Sequence, residues 1–221
     1  MPSSQTGMSP ARWRVAYFVS VSLMVAYYAV RIVFTNAGGD LRLRLSEAAY
    51  FRERINPYLV YSGEIPTDIE NGFPNAYTAF SYVVMQPLAL VPSDLLQALL
   101  YGAFDIAFLL LGIALVSRMV GANYLKATVL VTSVLLLSPF FLQHVTTLNY
   151  NVIAVFGAIA VFYGISTNTS WMFVAGSVLC STKPSLLIPL LLVLLARRDA
   201  KAIILIGATQ AFVWLAASAW A

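Results

Sequence analysis

Apolar residues along this chain fall into long unbroken runs rather than short alternations. The first extends from Val15 to Phe34, and others cover 76–91, 94–117, 125–142, 149–165, 171–182, 184–196 and 202–221. Short polar separators such as "QHVTTLN", "STNTS" and "RRDAK" divide them. Because about 20 apolar residues cross a hydrocarbon core as a helix, the pattern predicts an all-α, polytopic membrane bundle of about seven spans.

The exception is 36–75, the one long polar stretch. Within it Leu41, Leu45, Ala48, Phe51 and Ile55 recur at helical spacing. That stripe predicts an amphipathic helix lying in the membrane interface, with Arg42, Arg44, Glu47 and Arg54 pointing mostly elsewhere. "INPYLVYSGEIPTDIENGFPNAY" then alternates turn formers with aromatics, as an ordered cap would. The predicted organisation is one transmembrane domain, 1–221: an anchor helix at 15–35, an extracytoplasmic loop at 36–75, an interfacial or re-entrant segment at 76–92, and a helical bundle at 94–221.

Composition agrees. Apolar residues make up 60% and charged residues 10%, with mean hydropathy +0.81, whereas soluble domains carry roughly a quarter charged residues. The net charge of +4 does not point to nucleic acid, because the cations sit beside apolar runs, as loop charges that orient spans do. The bilayer is the expected partner. Cys180 is the only cysteine, so an intrachain disulfide and a cysteine-based metal cluster are both excluded.

Charge placement also orients the chain. Arg12 and Arg14 precede a run longer than a secretory signal's apolar region, with no clear small-residue cleavage site after it. This reads as an uncleaved anchor with a cytoplasmic N-terminus. Arg31, near the far end, is expected to extend to the interface. If 76–91 crosses the membrane, Arg118 and Lys126 fall outside. If it dips into the outer leaflet and returns, as Pro87 allows, then Arg12, Arg14, Arg118, Lys126, Arg197, Arg198 and Lys201 all lie inside, as the positive-inside tendency asks. The loop 36–75, the "LQHVTTLNYN" turn and Lys183 then share the outer face. In that topology 171–182 and 184–196 form a broken pair meeting at Lys183-Pro184.

Candidate chemistry concentrates on that face. Six of the nine carboxylates (Asp40, Glu47, Glu53, Glu64, Asp68 and Glu70) fall between 36 and 75. Asp40 follows Gly38-Gly39 and reads either as a helix N-cap or as a base held at the membrane mouth. The remaining acids read as ordinary loop charges pairing with Arg42, Arg44, Arg52 and Arg54. Lys183, flanked by apolar segments, would cost about 2.5–3.5 kcal/mol without a partner or polar cavity. It reads either as an anion-binding ammonium or as a headgroup-seeking side chain. His144, the sole imidazole, is either a boundary hydrogen-bonding residue or a phosphate donor, with Gln143 and Asn149 as neighbouring amide donors. Asp105, in mid-helix, reads as a bundle-facing structural hydrogen bond in preference to a catalytic acid. Asn168-Thr169-Ser170 is a glycosylation sequon on the cytoplasmic side of this topology and is discounted. The chain contains no metal-spaced histidines, no nucleophile elbow and no phosphate-cradling glycine loop.

Taken in order, Asp40 with "AAYFRERINPY", "FPNAYTAFSYVVMQPLALVP", "SPFFLQHVTTLNYNVI" and "STKPSLLIPLLLVLLARRDAK" resemble the C-type integral membrane glycosyltransferases, which use polyprenyl-phosphate sugars. The nearest branch is the bacterial polyprenyl-phosphate-mannose α-mannosyltransferases. The resemblance implies that Asp40 is the catalytic aspartate of the first outer loop and that Lys183 lies near the donor phosphate. It implies a hexosyltransferase of the inner membrane, moving mannose to the hydroxyl of a glycolipid or glycan acceptor on the outer face. His144, Gln143 and Asn149 would assist at the phosphate, while Tyr58 and Tyr77 would stack on sugar rings. No metal or cofactor beyond the lipid-linked donor is expected. This chain reads Thr147-Leu148-Asn149 where the family usually shows Gly-Gln. It is shorter than the family's usual length and stops inside an apolar run at Ala221, as a fragment, a minimal core or a degenerate relative would. The alternative is a non-catalytic polytopic subunit beside a membrane-protein partner, or a lipid carrier.

Overall fold

Helices make up most of what the computed structural model describes, residues 8–35, 38–55 and 79–220, and no strand occurs among them. In chain order they are α1 (Pro10–Phe34), α2 (Gly39–Arg52), α3 (Ala79–Ala89), α4 (Asp94–Val120), α5 (Tyr124–Leu136), α6 (Pro139–Thr147), α7 (Asn151–Ser166), α8 (Ser170–Cys180), α9 (Leu187–Ala196) and α10 (Ala200–Trp220). A 3-10 turn, Pro184–Leu186, precedes α9. Local chemistry sets several ends. The hydroxyl of Ser9 accepts from the Arg12 N–H with Pro10 in the first turn, Ser93 and Asn123 cap α4 and α5 in the same way, and Gly121 closes α4 at φ 66°.

α1 and α4 are each long and apolar enough to cross a membrane. The run 125–142, expected as one segment, is instead broken into α5 and α6, which meet at a bend of 82°. Pro139, at the start of α6, has no N–H to continue the ladder of α5. Counted as one span, this pair makes a third; α7, α8, α9 and the stretch Ala200–Ala216 are apolar but shorter. Length and composition alone therefore account for two or three crossings among the described residues. The outward faces of α1 and α4 present large apolar side chains, among them Phe18, Leu23, Phe34, Phe104 and Leu111. Soluble monomers seldom expose apolar surface on this scale. The chain is a helical membrane protein.

The main core joins Met24, Tyr28 and Ile32 of α1 to Tyr101 of α4, Phe141 and Val145 of α6, and Leu41, Leu45 and Ala48 of α2. The stripe on α2 is thus buried as its periodicity predicts. Its polar face departs from expectation: Arg44 is 3% exposed and Glu47 is fully buried. The reason is packing from both sides. Gln86 of α3 donates to the Ala48 carbonyl (2.6 Å), the Phe51 and Tyr82 rings lie 5.8 Å apart, and the Gly38 N–H donates to the Thr146 carbonyl (2.8 Å). α2 is therefore built into the core along the face that carries Arg44 and Glu47, while Gly39, Arg42 and Arg52 stay exposed on another. Its two buried charges neutralise each other, Arg44 Nη1 lying 2.6 and 2.7 Å from the Glu47 oxygens.

α7 and α8 form a hairpin whose backbones nearly touch at Gly157, Gly164 and Gly176. A Cβ on Gly176 would stand 2.5 Å from the Gly157 carbonyl oxygen and 2.7 Å from the Val161 nitrogen. Membrane helices use small residues for this kind of approach. Gly176→Val is expected to cost about 3 kcal/mol by forcing the helices apart, read as a lowered thermal midpoint in detergent; Gly207→Ala, where an added Cβ would meet no atom within 4 Å, should leave the midpoint almost unchanged.

The bundle has two chemically distinct ends. Lys126 lies over the Trp13 ring (5.4 Å to the centroid), and the Tyr17 and Tyr124 rings lie 5.8 Å apart, which joins the start of α1 to the start of α5. Leu115, Ala160 and Met172 pack together near the same end, where Asn168 and Ser170 line a pocket with Asp199 and Lys201. Arg12, Arg14, Arg118, Lys126, Arg197, Arg198 and Lys201 are thereby gathered at one end. Asp40, Asn149, Asn151 and Lys183 belong to the other.

Candidate functional site

The start of α2 is docked on the last turn of α6. Gly38 is the N-cap, in the left-handed region at φ 98°, and its Cβ position meets Leu148 at 3.5 Å. Asp40 is therefore not the cap that its position after two glycines suggests. It lies in the first helical turn, where unpaired amides favour an ionised carboxylate. Its side chain is 24% exposed, and its Oδ1 lies 3.3 Å from Arg44 Nε, so Arg44 bridges Asp40 to Glu47. Arg31, near the end of α1, donates from Nη2 to Thr146 Oγ1 at 2.8 Å. The end of α1 is thus pinned to the turn that carries the site.

Lys183 occupies the non-helical break between α8 and the 3-10 turn. Lys183 is partly buried there, and both it and the start of α2 border the α6–α7 turn: Gly38 rests on Thr146 and Leu148, and Lys183 on Asn151. The Lys183 ammonium donates to Asn151 Oδ1, at the first residue of α7. Asn151 also lines an apolar cavity of about 390 Å³ between α4, α5 and α7, whose walls include Phe108, Ile113, Val131, Leu135 and Phe156. An almost wholly apolar groove is therefore bordered by the residue that holds the ammonium.

His144 Nε2 lies 2.8 Å from Asp105 Oδ2, and Nδ1 lies 3.2 Å from Asn149 Oδ1. Both ring nitrogens face protein partners, and the Asp105 side chain is fully buried. Asp105 makes the bundle-facing hydrogen bond its mid-helix position calls for. Asn149 is held through its backbone as well, Tyr101 donating to its carbonyl at 2.9 Å. Gln143 is exposed on α6. Tyr58 and Tyr77 lie outside the described residues.

The structure thus sets Asp40 and Lys183 beside the α6–α7 turn, holds His144 and Asn149 within that turn, and leaves Gln143 on the outside of its helix. Asn151 and Arg44 complete the arrangement and were not among the expected site residues. Asn151 carried one signal, a polar residue opening an otherwise apolar helix. Comparison with protein-family models, curated proteins and solved structures finds no match. The functional reading therefore rests on the site's own chemistry.

An apolar groove bordered by an asparagine that holds an ammonium suits an amphiphile with a long hydrocarbon tail and an anionic head. A partly exposed carboxylate on the same turn can accept a proton from a hydroxyl that approaches the head from the aqueous side.

Proposed function

We propose that the chain is a membrane glycosyltransferase that moves a hexose, mannose by its sequence resemblance, from a polyprenyl-phosphate carrier to the hydroxyl of a glycolipid or glycan on the extracytoplasmic face. The observation that carries this reading is the apolar groove lined by Asn151, whose side chain holds Lys183 on the same α6–α7 turn that carries the start of α2 and Asp40. In this reading the prenyl tail fills the groove and its phosphate meets Lys183. The acceptor oxygen forms a bond to the anomeric carbon as the bond from that carbon to the phosphate oxygen breaks. Asp40 takes the acceptor's proton, and the phosphate leaves with the bonding pair, its charge offset by Lys183.

The membrane arrangement follows the same reading. The cation-rich end of the bundle faces the cytoplasm of the inner membrane, so the N-terminus is inside and the site opens outward. The shorter apolar helices complete the multi-pass bundle of about seven spans, with α8 and α9 as halves of one broken element around Lys183.

Full-length protein reconstituted in nanodiscs and given radiolabelled polyprenyl-phosphate mannose with a glycolipid acceptor should transfer label. Lys183→Met is expected to lower kcat/KM for the donor by about 10²–10³-fold, the usual effect of losing one group that stabilises developing negative charge. Lys183→Arg should restore only part of this, because a planar fork does not replace a compact ammonium on Asn151. Donor binding with no transfer to any acceptor would favour the second reading, a lipid carrier or accessory subunit, for which the same groove would suffice.

A further inference from the structure

The proton positions around His144 can be assigned from donor and acceptor counting. The backbone N–H of Asn151 can only donate, and it points at Asn149 Oδ1 at 3.0 Å. That atom must therefore be the amide oxygen, and Asn149 Nδ2 donates to Thr147 Oγ1 at 3.3 Å, consistent with the Thr147 hydroxyl donating to the Gln143 carbonyl. His144 Nδ1 faces the same amide oxygen, so Nδ1 must carry a hydrogen. Nε2 then faces Asp105 Oδ2 at 2.8 Å. An unprotonated Nε2 against an ionised carboxylate would set two acceptors together in a dry site, so exactly one proton is required between them. The Tyr28 hydroxyl sits beside the same carboxyl, but neither it nor Asp105 Oδ1 makes a hydrogen bond of normal geometry. The shared proton is therefore the contact that fixes the carboxyl.

We propose that Asp105 is a positioning residue: the proton it shares with His144 Nε2 locks Nδ1–H onto Asn149, and Asn149 fixes the start of α7 so that Asn151 presents its oxygen to Lys183. The chain of contacts is continuous from Asp105 through His144, Asn149 and Asn151 to the ammonium. It explains why an acid and the only histidine are buried in a helical bundle beside an otherwise apolar core. The inference rests on the transferase reading only in its consequence for turnover; its structural part stands alone.

The sole histidine makes the test direct, since protein labelled with 15N-histidine has one pair of ring nitrogens. The wild type should show Nδ1 protonated, the less common site for a neutral imidazole. An unprotonated Nδ1 would overturn the proposal. Asp105→Asn, whose amide can donate to Nε2, should keep Nδ1–H and leave acetylation of Lys183 as slow as in the wild type, measured peptide by peptide against Lys126 and Lys201. Asp105→Leu, which leaves Nε2 without a partner, should speed acetylation of Lys183 alone. If transfer is active, that variant should also lose up to about 10²-fold in kcat/KM, as expected for a displaced binding group. Equal Lys183 reactivity in wild type, Asp105→Asn and Asp105→Leu would overturn the proposal whether or not the protein transfers sugar. Should Asp105→Leu fail to fold, Asn149→Ala, which removes the amide oxygen that holds the Asn151 N–H, should speed acetylation of Lys183 in its place, and unchanged reactivity there would overturn the proposal.

Discussion

Asp40→Asn is expected to lower sugar transfer by about 10²–10⁴-fold, the range that a positioned general base contributes. The amide keeps an oxygen for Arg44 Nε, which lies 3.3 Å from Asp40 Oδ1 in the wild type, so the start of α2 should remain docked on α6. It cannot take the acceptor's proton. Donor affinity should change little, because Lys183 remains held by Asn151. The variant should therefore lose kcat while KM for the lipid donor holds, with circular dichroism and thermal melting unchanged. Full activity in Asp40→Asn would remove Asp40 from the mechanism and leave the acceptor's proton to another base.

Glu47→Ala should give the largest loss of stability. Its carboxylate is fully buried and pairs with Arg44, itself 3% exposed. Removing one partner of a buried pair costs about 3–5 kcal/mol, because the other charge loses its compensation in a dry environment. Arg44 keeps Asp40 at 3.3 Å, so the lower end of that range is expected. The signature lies in the double variant. Arg44→Met with Glu47→Leu should recover most of the loss, since apolar residues of similar volume often replace a buried ion pair without penalty. Thermal unfolding in detergent across the two single variants and the double variant measures this. Additive losses would mean that the two charges are stabilised independently.

Elements carried by local periodicity were legible in the sequence. The apolar run behind Arg14 became α1, the stripe from Leu41 to Phe51 became the buried side of α2, and the Lys183-Pro184 break fell between helices. Contacts between distant segments were not legible. Arg44 and Glu47, three apart on one helix, look like an exposed ion pair. They are buried because α3, beginning more than thirty residues later, lies across them. His144 likewise reads as an interfacial residue until α4 brings Asp105 to its ring. The bend between α5 and α6 had a signal in Pro139, but an uninterrupted hydropathy pattern concealed it. In the site, Lys183 was legible as a charge flanked by apolar segments, and Asp40 by its place after Gly38-Gly39 just behind the anchor helix. The side chain that links Lys183 to the groove, Asn151, was not, because its role depends on where α7 starts relative to α8.

The account depends on the groove between α4, α5 and α7 holding the tail of a lipid whose phosphate meets Lys183. Photo-crosslinking with a polyprenyl phosphate carrying a diazirine in its tail measures this directly. The label should map to peptides spanning 108–117 and 151–159, which line the groove. It should be displaced by unlabelled polyprenyl phosphate and weakened in Lys183→Met. Label spread along the lipid-facing side of α1, indifferent to competitor and to Lys183→Met, would contradict it.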